Sequence, residues 1–142
     1  MDYQQLFAVS AAGMAVERTR VEAASMNLAN AGTVQDPGGA GYQPVRAVVR
    51  SGAPFVSLVG DALGEAAMPT VALEPTGTGA RLVHEPGHPL ADSRGFVAYP
   101  GVDAAAEMVT LMSAMRSYEA NVAALATART LALKTLEIGR SS

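Results

Sequence analysis

The chain has 142 residues, of which 49% are hydrophobic but only 5% aromatic, and its formal net charge is −3. This length corresponds to one domain, or to one small domain with appendages, and an acidic balance without a basic cluster argues against nucleic-acid binding. Because the chain contains no cysteine, disulfides, thiol nucleophiles and cysteine metal sites are excluded.

Proline and glycine divide the chain into three segments. All eight prolines lie between Pro37 and Pro100, and twelve of the fourteen glycines lie between Gly32 and Gly101. Proline disrupts a helix interior, so this distribution predicts an N-terminal helix in 1–31, an irregular or β-rich middle in 32–101, and a C-terminal helix and tail in 102–142. No apolar run reaches the roughly 18 residues of a membrane span, and the N-terminus lacks the basic start of a conventional secretory signal.

The first helix is predicted to carry an apolar face. Phe7, Met14, Val21 and Leu28 recur seven residues apart and therefore lie on one side of the helix. Gly13 lies on an adjacent apolar line. It is either a tolerated defect, which costs about 1 kcal/mol relative to alanine, or a position where another helix approaches closely.

The middle segment begins with the loop "GTVQDPGGAGYQP" and then contains short extended candidates separated by turn residues. Two to four such strands form at most a small hairpin or β-rich patch, which is marginally stable by itself. The stretch "EPGHPLADSRG" is predicted to be a connector to the last helix. The strand candidates are Val45–Arg50, Phe55–Val59, Thr70–Leu73 and Ala80–His84.

The last helix is predicted to begin at Asp103, which can cap it, and to continue without proline or glycine to Ile138. At 1.5 Å per residue it is roughly 50 Å long, and the first helix is roughly 40 Å. The apolar residues with a strict three–four spacing, typical of a coiled-coil seam, are Met108, Leu111, Met115, Tyr118, Val122 and Leu125.

Two helices of this length can pair antiparallel, but each covers only one flank of the other. Large exposed apolar surfaces on a chain of this kind mark interaction sites. We therefore expect the remaining apolar faces to be covered by other subunits.

The residue types that could take part in catalysis or metal binding do not combine into a site. His84 and His88 are four apart, but Pro86, Gly87 and Pro89 exclude the helix on which that spacing would hold a metal. The serines of the predicted helices have no histidine placed to activate them. We therefore predict no catalytic residue, no metal, no cofactor and no small-molecule substrate.

Two stretches resemble a known family. "SAAGMAVERTRVEAASMNLANAGT" resembles the N-terminal signature of flagellar rod, hook and hook-associated axial proteins. The C-terminal runs "EPGHPLAD", "YPGVD", "EMV", "RSYEANV" and "TLEIG" resemble the proximal-rod members of the FlgC type, although Gly101 stands where that family usually has asparagine. The residues that carry the family signature include Ser25, Asn27, Asn30, Tyr42, Glu107, Arg116 and Asn121.

The resemblance implies a mainly α fold, in which long N- and C-terminal helices pack as a coiled-coil-like pair beside a small β-hairpin or irregular middle segment. It also implies a structural subunit of the flagellar basal-body rod, exported through the flagellar type III apparatus. Its partners would be copies of itself, other rod proteins, the junction of the membrane ring with the export gate, and the distal rod. The alternatives are a helical-hairpin adaptor with a single partner, a small hydrolase, and another rod subunit adjoining the export gate.

Overall fold

A computed structural model describes residues 3–35, 37–39, 41–50 and 69–140. In chain order the elements are α1 (Tyr3–Asn30), β1 (Val45–Arg50), β2 (Thr70–Pro75), β3 (Arg81–His84), β4 (Phe96–Tyr99) and α2 (Ala104–Arg140). The mainly helical architecture with a small antiparallel strand segment between two long helices agrees with the prediction. The strand candidate Phe55–Val59 lies outside the described residues.

The helix α2 begins where the sequence predicts. The Oδ1 atom of Asp103 accepts hydrogen bonds from the backbone N–H groups of Ala105 and Ala106, at 3.0 and 3.2 Å. These two donors have no partner inside the helix, and an N-cap carboxylate satisfies them and also suits the positive end of the helix dipole. The cap therefore fixes the first turn of α2.

The two helices lie side by side and antiparallel. The side chain of Asn27 contacts Glu107, and the backbone of Gly13 lies under the side chain of Asn121. Both pairs of residue numbers sum to 134, so the first residue of α1, Tyr3, is level with Leu131. The last nine residues of α2, 132–140, extend roughly 13 Å beyond that level. We call these residues the overhang.

Small residues occupy the buried positions of the two helices. A contact made by small side chains lets two helix backbones approach closely, but it buries little apolar area from each helix. These buried positions do not confirm the predicted coiled-coil seam of large interlocking side chains. The buried helical residues are Ser10, Ala23, Ala24, Asn27, Ala114 and Ala128.

The strands form two separate antiparallel hairpins. β1 pairs with β2, with Val45 opposite Pro75 and Arg50 opposite Thr70, and both strands contact α1. Arg50 and Glu74 form an ion pair across this hairpin. The packing against α1 supplies the support that a two-stranded hairpin lacks in water.

The second hairpin contains a strand, β4, that the sequence pattern does not predict. β3 pairs with β4, whose residues the sequence assigned to the run that leads to the last helix. Gln35 adds a bridge to Ala98 on the other edge of β4. Val97 and Ala98 of β4 are buried. β4 therefore belongs to the core. The predicted connector ends at Gly95 and leads into this strand instead of directly into the last helix.

The loop between β3 and β4 is organised by Asp92. Its Oδ1 atom accepts hydrogen bonds from the backbone N–H groups of Arg94 (2.8 Å) and Phe96 (2.9 Å). The bond from Phe96 is the main reason that the pKa of Asp92 is below its ordinary value. Gly95 closes the turn with φ = 80°, a conformation that favours glycine.

Candidate functional site

The side chain of Asn27 lies at the junction of both helices and the middle segment. It is 1% exposed. Its Nδ2 atom donates to the backbone carbonyl of Val45 and to Oε1 of Glu107, both at 2.8 Å. Its Oδ1 atom accepts from the hydroxyl of Tyr42 at 2.7 Å and from the N–H of Val45 at 2.9 Å. We call Asn27, Tyr42, Val45 and Glu107 the polar junction.

The polar junction uses the full hydrogen-bonding capacity of one amide. An asparagine side chain has two donors and one oxygen that accepts two bonds, and all four are used here. Burial raises the pKa of the Tyr42 hydroxyl, and the neighbouring charge of Glu107 raises it further. The hydroxyl therefore remains a donor to Asn27 at neutral pH. A fully satisfied buried network of this kind fixes one arrangement of the elements that contribute to it.

The other signature residues either bond within their own helix or are exposed. Asn30 donates from Nδ2 to the carbonyl of Met26, one turn earlier in α1, at 2.8 Å. Asn121 is half-buried and donates to the carbonyl of Ser117 at 3.1 Å. Ser25 and Arg116 are exposed. Three of the seven signature residues thus meet at the polar junction, and the other four do not.

Gly13 lies where the helices approach each other. A Cβ atom added there would lie 3.0–3.2 Å from the side-chain amide of Asn121, which is tighter than ordinary contact. Of the two interpretations that the sequence left open, the structure supports close approach of another helix.

The packing line predicted along α2 lies mostly beside the helix contact. Leu111 and Leu125 are half-buried. The remaining four side chains are exposed by 41–56%, and Met112 of the same helix is exposed by 66%. The four are Met108, Met115, Tyr118 and Val122. The outer flank is defined as Met108, Met112, Met115 and Val122.

The packing residues predicted in α1 are all half-buried: Phe7, Met14, Val21 and Leu28. Two of them form the α1 side of depressions whose other side is α2. Met14 lies opposite Tyr118 in one depression. Val21 lies in a second depression of about 410 Å³, which we call the groove; it is lined by Arg18, Val21, Met115, Tyr118 and Glu119.

The histidines have structural contacts. The ring of His84 lies against that of Phe96 with centroids 5.0 Å apart, and Nδ1 of His88 accepts a hydrogen bond from the N–H of Leu90. Among the described residues, no group of three or more His, Cys, Asp or Glu side chains is placed to hold a metal ion. Likewise, no helix in this part of the chain is long and apolar enough to cross a membrane.

The two long helices share a contact made by small side chains and keep the large side chains of the outer flank exposed. Residues 93–138 match the family model described as flagellar basal body rod FlgEFG protein, C-terminal. This match covers β4, the cap and nearly all of α2.

Full-length relatives identify the family. The flagellar basal-body rod protein FlgC of Salmonella typhimurium is 38% identical over 135 residues, which cover 95% of this chain and 96% of the relative. The protein of the same name from Bacillus subtilis is 34% identical, with 93% and 95% covered. The chain therefore belongs to the FlgC family of flagellar basal-body rod proteins. This is a family of structural proteins and not of enzymes, and it gives no support to the single-partner adaptor.

Proposed function

We propose that the chain is a structural subunit of the proximal rod of the bacterial flagellar basal body and assembles helically through the outer flank. As a member of a rod-protein family it is a structural component of the flagellar basal-body rod. The finer part of the proposal is which surface of the subunit contacts its neighbours in the rod. Its main support is that Met108, Met112, Met115 and Val122 remain exposed on one side of α2 after the two helices have paired.

The outer flank has the properties of a surface that another subunit covers. It joins three methionines and a valine along fifteen residues of one helix, and contiguous apolar surface of this kind marks protein–protein contact. Methionine is flexible and adapts to partners of different shape. We propose that this flank contacts copies of the same chain and other rod proteins, towards the ring and export-gate junction on one side and the distal rod on the other.

We propose that the subunit reaches the rod through the flagellar type III apparatus and that its helical arms are partly disordered until neighbours cover them. The free-energy cost of ordering the arms is then offset by repeated contacts along the rod. Long packed helices also supply the stiffness that transmission of torque requires.

The substitution Val122→Asp tests the role of the outer flank. Val122 is 43% exposed, so a charge at this position perturbs the helix pair little but must be desolvated in a subunit contact. We expect export of the variant to continue while rod assembly and swimming are lost. The measurement is the amount of the subunit in isolated basal bodies compared with the amount exported.

The matched control is Thr127→Asp. Threonine has nearly the shape of valine, and Thr127 is exposed. Its hydroxyl donates to the carbonyl of Ala123 in its own helix. Five residues of helix place it about 140° away from Val122. We expect this variant to assemble. Normal rods with Val122→Asp would refute the assignment of the flank, whatever the control does.

A further inference from the structure

The overhang is the apolar end of α2, which extends past the level at which the described part of α1 begins. Leu131, Leu133 and Leu136 are exposed by 52%, 52% and 71%. Because α1 begins level with Leu131, the described part of α1 does not reach Leu133 or Leu136. These two leucines therefore need cover that the described part of their own helix pair does not provide.

The groove is an apolar depression on the same molecule, roughly one third of the way along the helix pair from the polar junction to the overhang. Val21, Met115 and Tyr118 form its apolar part. Its volume of about 410 Å³ is sufficient for leucine side chains. Leu133 and Met115 are eighteen residues apart on α2, so the overhang and the groove of one molecule are separated by roughly 27 Å and cannot meet.

The charges at these two places are complementary. Arg18 and Glu119 line the groove, and Lys134 and Glu137 lie on the overhang. Within the described part of the chain, the ion pairs formed are Arg20–Glu17, Arg50–Glu74 and Arg94–Asp92, so none of these four charges has an ion-pair partner there. One positive and one negative charge beside each apolar patch permit two opposite-charge pairs between copies.

We propose that the overhang of one copy inserts Leu133 and Leu136 into the groove of a second copy, with Lys134 directed to Glu119 and Glu137 to Arg18. This inference rests on the proposed function and names a partner and contact residues for the groove, which shares Met115 with the outer flank. The two surfaces are different, so the contact is head-to-tail and propagates along a helical assembly instead of closing into a dimer. Successive copies are displaced by roughly 27 Å along the helix direction, so that Leu133 lies level with Met115 of the next copy.

Cysteine pairs test this contact in assembled basal bodies. The natural chain has no cysteine, so Met115→Cys with Leu133→Cys gives one thiol on each surface. Within one chain they are roughly 27 Å apart on a single helix, whereas a disulfide needs Cα atoms closer than about 7 Å. We expect mild oxidation to give a ladder of covalent dimers and larger multimers. The control pair, Ala120→Cys with Leu133→Cys, places the first thiol on the other side of α2 and is expected to stay monomeric.

Charge exchange provides a second readout. Glu119→Lys places two positive charges together in the contact and is expected to lower incorporation into rods by about tenfold. Adding Lys134→Glu restores the opposite-charge pair and is expected to recover most of that loss, whereas a role of Glu119 in folding alone would not be rescued.

The outcomes separate this inference from the proposed function. Motile cells whose Met115/Leu133 cysteine variant stays monomeric on oxidation would overturn the head-to-tail contact but leave the rod role intact. If that variant fails to assemble, the charge exchange decides: rescue supports the contact and absence of rescue overturns it. Loss of assembly in Val122→Asp remains the separate test of the outer flank.

Discussion

At the residue scale, the polar junction explains how one side chain joins three parts of the chain. Asn27 belongs to α1, Tyr42 and Val45 to the middle segment, and Glu107 to the first turns of α2. A buried amide with all its bonds formed is neutral or favourable, but each partner left unsatisfied in the interior costs about 1–3 kcal/mol. The junction therefore sets the register of the helix pair as well as its stability.

Asn27→Ala is expected to lower the free energy of unfolding by about 3 kcal/mol, because the variant leaves the hydroxyl of Tyr42 and both backbone groups of Val45 without their partner. Urea denaturation of the purified chain, followed by helical circular dichroism, measures this change. Asn30→Ala is the matched control, because the side chain of Asn30 donates to the carbonyl of Met26 in its own helix; it is expected to change stability by less than about 0.5 kcal/mol. Equal effects of the two substitutions would contradict the role of the junction.

The sequence identified Asn27, Tyr42 and Glu107 as separate signature residues but did not predict that they meet. Asn27 and Glu107 are 80 positions apart. Local periodicity contains no information about a contact at that separation, and the hydrogen-bonding need of a buried amide becomes visible only when its surroundings are known. By contrast, the cap at Asp103 depends on its immediate neighbours and was predicted correctly.

At the element scale, the helix contact depends on small residues. Gly13 has no side chain and therefore leaves space for the side-chain amide of Asn121. Glycine is unfavourable inside a helix by about 1 kcal/mol, so its presence in α1 is explained by the neighbour it accommodates. The outer flank stays free because the contact itself is narrow.

Gly13→Val is expected to destabilise the helix pair by about 2 kcal/mol, since its methyl groups overlap the side chain of Asn121. Adding Asn121→Ala removes the obstacle and is expected to recover most of that loss. Thermal unfolding of the two variants and of the single Asn121→Ala variant completes the cycle. Ala11→Val, an exposed substitution on the same helix, is the control. A similar loss in Gly13→Val and Ala11→Val would show that the helices are not in close contact at this level.

Most element boundaries follow from sequence, and the exceptions have physical reasons. Val45–Arg50 is predicted and observed, because turn-forming residues flank a six-residue run that contains three valines. β4 has only four residues, directly after a loop rich in proline and glycine, so its β-branched and aromatic residues were the only signal. In α2, apolar residues occur nearly all around the helix. Periodicity therefore found the line of large residues that includes Met115 but not the neighbouring line of small residues, such as Ala114, that is buried.

At the scale of the whole molecule, the two ends of the helix pair differ. The end near the polar junction contains the buried residues Ala24, Asn27, Val97 and Ala98. There the first hairpin contacts α1, and Gln35, which follows α1, bridges the second hairpin. The other end has the overhang with its exposed leucines. Local stability follows the number of buried contacts, so we expect the first end to be ordered in the free chain and the second to become ordered with its neighbours.

Hydrogen exchange of the purified chain, measured over a range of concentrations, tests most directly whether subunit contacts complete this fold. We expect residues 20–30 and 104–117 to be protected at every concentration. Residues 122–140 are expected to exchange rapidly in dilute solution and to become protected as the chain associates. Uniform protection of α2 in a chain that sediments as a monomer at all concentrations would contradict the account.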